Sequence, residues 1–173
     1  MSAKTVKEYF SILEETLFGF MLPAYTRTIK RRLVQSPKFY YLDVGIPNYL
    51  LSRTPLIPDT ADYGHAFEHL MVQELRAYLG YHHSRKQLSY WRTSSGIEVD
   101  CIIGNAEVAI EFKSSSAVRA SQLKGLRAFS DEHPGVKCYV VSRETFPRLV
   151  NGIEIWPIRD FLAKLWLGDI ITP

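Results

Sequence analysis

Residues 97–113 read IEVDCIIGNAEVAIEFK, and their alternation decides the fold class. Ile97, Val99, Cys101 and Ile103 are apolar, with Glu98 and Asp100 between them. Val108, Ile110 and Phe112 repeat the pattern, leaving Glu107, Glu111 and Lys113 on the opposite face. A period of two is that of a strand, whose successive side chains point to opposite faces. Gly104-Asn105 between the runs suits a two-residue hairpin turn. Such a turn pairs Ile103 with Ala106 and makes Asp100 and Glu111 diagonal neighbours, roughly 7–8 Å apart on one face. Like charges that close destabilise a sheet, so the acidic face calls for a cause. A hard divalent cation is a sufficient one, because Mg²⁺ takes one or two carboxylates together with waters and phosphate oxygens. Lys113, two residues past Glu111 on the same face, can hold or polarise an attacking water. The plain alternative is a solvated strand face on which Glu111 and Lys113 simply pair.

Working outward, Ala61 to Leu79 has helical periodicity, with Asp62 as a candidate N-cap and Gly80 as a candidate stop. Phe67, Met71, Val72, Leu75, Tyr78 and Leu79 form its apolar stripe. Glu68 falls inside that stripe, where a carboxylate is costly unless it is paired or binds a cation. If this helix packs on the acidic face, Glu68, Asp100, Glu111 and Lys113 converge. On the other side, Ser121 to Glu132 reads as a helix leading into Lys137 to Ser142 (KCYVVS), a fully buried strand. A strand–helix–strand crossover after a hairpin makes the sheet mixed. Gln87 to Thr93 and Ile153 to Trp156 read as further strands, and Pro157 opens a last helix through Leu167.

Towards the N-terminus, Thr5 and Glu8 fit a capping box ahead of Val6, Phe10, Leu13 and Leu17. Leu17 to Tyr25 reads as a short strand or buried turn, and Lys38 to Asp43 as a strand. The proline-containing stretch 52–60 marks the one internal boundary. It divides a small helical, winged-helix-like piece (1–58) from an α/β core with a mixed sheet flanked by helices (59–173).

The chain has 173 residues, 46% of them hydrophobic and 13% aromatic, enough for a real core. A net charge of +3 excludes charge-driven disorder. Two cysteines are too few for a disulfide framework or a cysteine zinc site, and Cys101 and Cys138 fall on apolar strand positions. Neither a membrane span nor a secretory signal is legible, so a soluble, cytoplasmic protein is expected. The densest basic cluster is Arg27, Lys30, Arg31 and Arg32, which suits a phosphate backbone or a docking face. Arg85, Lys86 and Arg92, beside Tyr90 and Trp91, precede the acidic hairpin and suit the border of a nucleic-acid groove. His65, Glu68 and His69 also spell H-x-x-E-H, a zinc-protease pattern that lacks an obvious third ligand.

Glu68, Asp100 and Glu111-Phe112-Lys113 together resemble the PD-(D/E)XK nuclease superfamily. That resemblance implies a restriction-endonuclease-like sheet, with Mg²⁺ (or Mn²⁺) held by acidic residues for phosphodiester cleavage. Asp100 and Glu111 would be the main ligands, Glu68 an accessory ligand, and Lys113 the water-positioning group. Val99 stands where the motif has Pro, which removes no ligand. Gln122 and Lys124 are similar to an auxiliary polar position on the next helix. Residues Pro37-Lys38-Phe39-Tyr40, Asp43-Val44-Gly45, Gly64-x-x-Phe67-Glu68, Glu98-Val99-Asp100 and Ile110-Glu111-Phe112-Lys113 resemble a bacterial and archaeal domain of unknown function. It usually forms the C-terminal half of AAA-type ATPases, implying DNA as a partner. No Gly-rich phosphate loop occurs here, so an ATPase half is expected to be absent or encoded separately. Two readings stay open at this point: a Mg²⁺-dependent DNA nuclease, and a non-catalytic DNA-binding or assembly module of an ATPase.

Overall fold

The computed structural model describes residues 2–27 and 31–172. Helix α1 (Ala3–Glu15) leads into the antiparallel pair β1 (Gly19–Leu22) and β2 (Lys38–Tyr41), then α2 (Gly45–Leu50) and the long α3 (Ala61–Tyr81). Strands β3 (Leu88–Arg92), β4 (Glu98–Ile103) and β5 (Val108–Lys113) follow, then a 3-10 turn (Ala120–Leu123) running into α4 (Lys124–Ser130). Next come β6 (Lys137–Ser142), β7 (Arg148–Val150), β8 (Ile153–Pro157) and α5 (Ile158–Leu167).

The main sheet has six strands in the order β3-β4-β5-β6-β8-β7. β5, β6 and β8 run parallel, while β3, β4 and β7 pair antiparallel with their neighbours. The expected α/β architecture with a mixed sheet between helices is therefore present. One face carries α3 and α5, whose Met71, Leu75, Tyr78, Phe161 and Leu165 pack on Ile103, Ile110, Tyr139 and Val141. The other face carries α4, whose Leu126 and Phe129 pack with Val99, Ile102, Ala109 and Val140. Because both faces are covered, both sets of alternating positions are buried, as in any sheet packed between helices.

Three local expectations change. Ser2, not Thr5, caps α1: its Oγ accepts the Thr5 N–H at 3.2 Å. Thr60 caps α3 by accepting the Tyr63 N–H at 3.3 Å, while Asp62 sits in the first turn and pairs with Arg53. An upstream hydroxyl outcompetes the candidate caps because it reaches the free N–H groups from outside the helix. Gly80 does not stop α3, which runs on to Tyr81.

The β4–β5 connection has the largest consequence. It is a four-residue turn, 104–107, with Gly104 and Ala106 at positive φ. Asn105 at its tip accepts from the Arg27 guanidinium at 2.8 Å, which ties the turn to the N-terminal segment. Ile103 consequently pairs with Val108, two positions away from the simple two-residue hairpin. A shift of two keeps each side chain on its face but changes which residues meet. Towards the N-terminal end of β4 the β3 pairing also slips by one between Ser89 and Trp91. Val99 thus joins the α4 layer while Cys101 joins the α3 layer, and strict alternation fails around Asp100.

The N-terminal segment covers the free edge of β3. Tyr25 N–H donates to Tyr90 O and Tyr90 N–H to Pro23 O; further along, Val34 N–H donates to Arg92 O. This blunts an edge that would otherwise present unpaired backbone groups. Among the described residues no helix is long and apolar enough to cross a membrane.

Candidate functional site

Asp100 lies where β4 and β5 stop pairing. Their ladder ends at Cys101 with Ile110, and the same register taken one step further sets Asp100 against Glu111. There the Asp100 carboxylate takes the place of a ladder carbonyl: its Oδ2 accepts the Phe112 N–H at 2.8 Å. Asp100 and Glu111 are both buried. The Lys113 ammonium sits 2.5 Å from Glu111 Oε1, while Glu111 Oε2 is buried with no hydrogen-bond partner. Gly125 of α4 comes close on this side: a Cβ there would lie 1.9 Å from Glu98 O and 3.6 Å from Glu111 Oε2.

The charges of this group are frustrated. Burial, then the charges of Glu111 and Glu68, push the Asp100 carboxyl well above its ordinary range, and Lys113 and the Phe112 N–H only partly oppose this. Burial also raises Glu111, against the pull of Lys113. Burial by itself would lower Lys113, yet Glu111, Asp100 and Glu68 together hold it above its usual value. Two buried carboxylates share one adjacent ammonium, and one carboxylate oxygen has no donor at all.

Glu68 does approach from α3, but it arrives with partners. Its Oε1 accepts from Tyr40 Oη at 2.6 Å and from Lys38 Nζ at 3.0 Å. Burial pushes the Glu68 carboxyl up; the Lys38 ammonium and the bonds from Tyr40 and Lys38 outweigh it and hold it below its usual value. Lys38 Nζ also lies 2.5 Å from Glu98 Oε1, and Glu98 Oε2 faces Arg92 Nε at 3.6 Å. The site is thus a row: Lys113, Glu111, Asp100, Glu68, Lys38, Glu98, Arg92. Lys38 and Glu98, and Tyr40 which donates to Glu68, are residues that sequence reasoning did not assign to it. The lysine and tyrosine stand in the aromatic run KFYY, where alternation pointed only to a strand.

A divalent cation fits this donor set in one restricted way. Among the described residues no group of three or more His, Cys, Asp or Glu side chains is gathered to hold a metal. Asp100 with the unpartnered Glu111 oxygen offers two carboxylates, which suits Mg²⁺ or Mn²⁺ completed by waters and substrate oxygens. It does not suit zinc held by H-x-x-E-H, since a ring nitrogen of buried His69 is bonded to Tyr41 O at 2.7 Å and His65 is exposed. His69 is therefore not a surface residue.

The outlying polar residues have mixed surroundings. Arg31 is bound to Glu132 at 2.6 Å, whereas Arg32 is exposed. Lys30 lies outside the described residues. Arg85 and Lys86 line a cleft of about 880 Å³ with Arg27, His82, His83 and Asn105, although Lys86 is 3.0 Å from Glu107 Oε2. This cleft sits at the hairpin-turn end of β4 and β5, the end away from Lys113. Gln122 accepts the Arg119 N–H at 2.8 Å and closes the 3-10 turn; Lys124 is exposed at the start of α4. Cys101 and Cys138 are buried, unbridged thiols, and burial pushes Cys138 up to about 11.

No curated protein and no solved structure matches the chain. Residues 1–56 match the family described as domain of unknown function DUF8612. Residues 63–161, more than half of the chain, carry α3, the hairpin with Asp100 and Glu111, and the crossover to β8, and they match the family described as domain of unknown function DUF4143. The chain belongs to the DUF4143 family.

Proposed function

We propose that this chain is a metal-dependent phosphodiesterase acting on DNA, built on a restriction-endonuclease-like sheet. The observation that carries the reading is the buried, partnerless Glu111 Oε2 beside Asp100. A carboxylate oxygen with no donor in a buried site is costly, and a bound cation removes that cost. Asp100 and Glu111 would hold Mg²⁺ or Mn²⁺, which supplies Lewis acidity at a phosphate oxygen and acidifies bound water. The chain's own groups do the rest. Lys113 stays protonated against Glu111, so it donates to the attacking water and faces the negative charge that builds on the phosphate oxygens. Asp100 is held in place by the Phe112 N–H, so its orientation needs no reorganisation. Glu68, expected as an accessory ligand, acts in this reading as the anchor of Lys38. Arg32, Arg85 and Lys124, all exposed, are available to a phosphate backbone, with Arg92 beside the carboxylates.

A second reading has its own observation. Lys38 and Lys113 already neutralise much of the row, as a purely structural ion network would. In that case the chain is a DNA-binding or assembly module working with a cytoplasmic AAA-type ATPase. Incubation with labelled single-stranded, duplex and branched DNA, in Mg²⁺, Mn²⁺ or EDTA, separates the two. Cleavage that needs the metal supports the phosphodiesterase; binding without cleavage on all substrates selects the module.

A further inference from the structure

Lys38 bridges two acids of the row. Its Nζ is 3.0 Å from Glu68 Oε1 and 2.5 Å from Glu98 Oε1, and lies 5.2 Å from the centre of the Tyr90 ring. Its side chain is 24% exposed, so these contacts are little screened. Tyr40, two residues along β2, donates to the same Glu68 oxygen and fixes the carboxylate that receives the lysine. A cation between two carboxylates occupies the place a divalent ion would take. Two cations cannot share it, since like charges a few ångströms apart in a partly buried site repel strongly.

We propose that Lys38 is the resident cation of this face: its ammonium excludes a divalent ion from Glu68 and Glu98 and confines metal binding to Asp100 and Glu111. This rests on the metal reading of the site given above. It assigns Glu68 the task of positioning Lys38, so that the strand pair preceding α3 sets how much metal the sheet can load.

The test is Mn²⁺ binding to the DNA-free full chain, read from the loss of the free-ion paramagnetic resonance signal. Wild type should bind one ion. Lys38→Met, similar in length and uncharged, should bind a second ion or bind at least tenfold tighter, while Lys38→Arg should match wild type. Glu68→Gln should stay within threefold of wild-type affinity, because Glu68 is an anchor and not a ligand. A folded Lys38→Met with wild-type stoichiometry and affinity overturns the proposal. So does a tenfold loss in Glu68→Gln, the variant that decides if Lys38→Met does not fold. Asp100→Asn keeps the two readings apart. If wild type binds, Asp100→Asn does not and Lys38→Met is unchanged, the Lys38 proposal alone falls. If neither wild type nor Lys38→Met binds Mn²⁺, the metal reading falls and takes this proposal with it.

Discussion

Asp100 and Glu111 are two acids that the metal-free fold holds at a cost. A carboxyl whose affinity for its proton is raised by folding contributes stability below its unfolded pKa, and that contribution is lost as pH rises through the folded value. Near neutrality the pair therefore destabilises the metal-free chain. Asp100→Asn keeps an acceptor for the Phe112 N–H and removes one of the two charges. In EDTA at neutral pH it should raise the Tm by about 2–4 °C for each kcal/mol relieved. The advantage should shrink as the pH is lowered towards the carboxylate range, and the variant should lose the Tm gain that Mn²⁺ gives wild type. Calorimetry with and without Mn²⁺ measures all three. Lys113 behaves differently, because a water-positioning cation matters more to the transition state than to ground-state binding. Lys113→Ala should lower the single-turnover cleavage rate by about 10²–10³. Its DNA Kd should stay within about twofold of wild type, since a transition-state contact adds little to binding. Equal losses in rate and affinity would make Lys113 a binding residue only.

Among the elements, the β4–β5 hairpin and α4 decide the geometry of the carboxylates. The four-residue turn moves Ile103 from opposite Ala106 to opposite Val108, and with the slip against β3 it leaves Asp100 just past the end of the β4–β5 ladder. α4 comes close to that ladder end only because residue 125 has no side chain. A Cβ there would lie 1.9 Å from the Glu98 carbonyl, a backbone atom that cannot rotate away. Gly125→Ala should therefore cost about 1–3 kcal/mol in urea unfolding, the usual cost of overpacking. It should also weaken Mn²⁺ binding by displacing β4. A cost below about 0.5 kcal/mol would mean that α4 can shift freely and does not hold the ladder end.

At the scale of the whole molecule, the segment before α3 is built into the core. Leu22 is 1% exposed and shares a cluster with Met71, Leu75 and Ile103. Leu22→Ala should cost about 2–5 kcal/mol, as truncation in a close-packed core does. Because the same cluster spans the strand pair and the main sheet, unfolding should stay a single transition. Coincident denaturation curves from tryptophan fluorescence and far-ultraviolet circular dichroism check this. Two separated transitions would show that the N-terminal strands fold as an independent unit.

Much of this was readable from residue order. The periods of two in 97–113 and of 3.6 in 61–79 are local properties, since backbone geometry alone sends alternate or every third and fourth side chain to one side. They yielded the strands, the long helix, the mixed sheet and the candidates Glu68, Asp100, Glu111 and Lys113. β7 escaped notice because three residues, Arg148–Val150, are too few to display a period. The caps at Ser2 and Thr60 were missed because neighbouring residues offered equally good local patterns. The partners of the acids lay beyond local reasoning altogether. Lys38 meets Glu68 and Glu98 across 30 and 60 positions of chain, and Arg27 fixes the turn at Asn105 from 78 positions away. Residue order set which acids exist and on which element each stands. Packing of the N-terminal strands against the sheet gave Glu68 and Glu98 their partners, and the approach of α4 buried the Glu111 oxygen that has no donor, because charge balance in a buried site depends on distances of a few ångströms that no local period encodes.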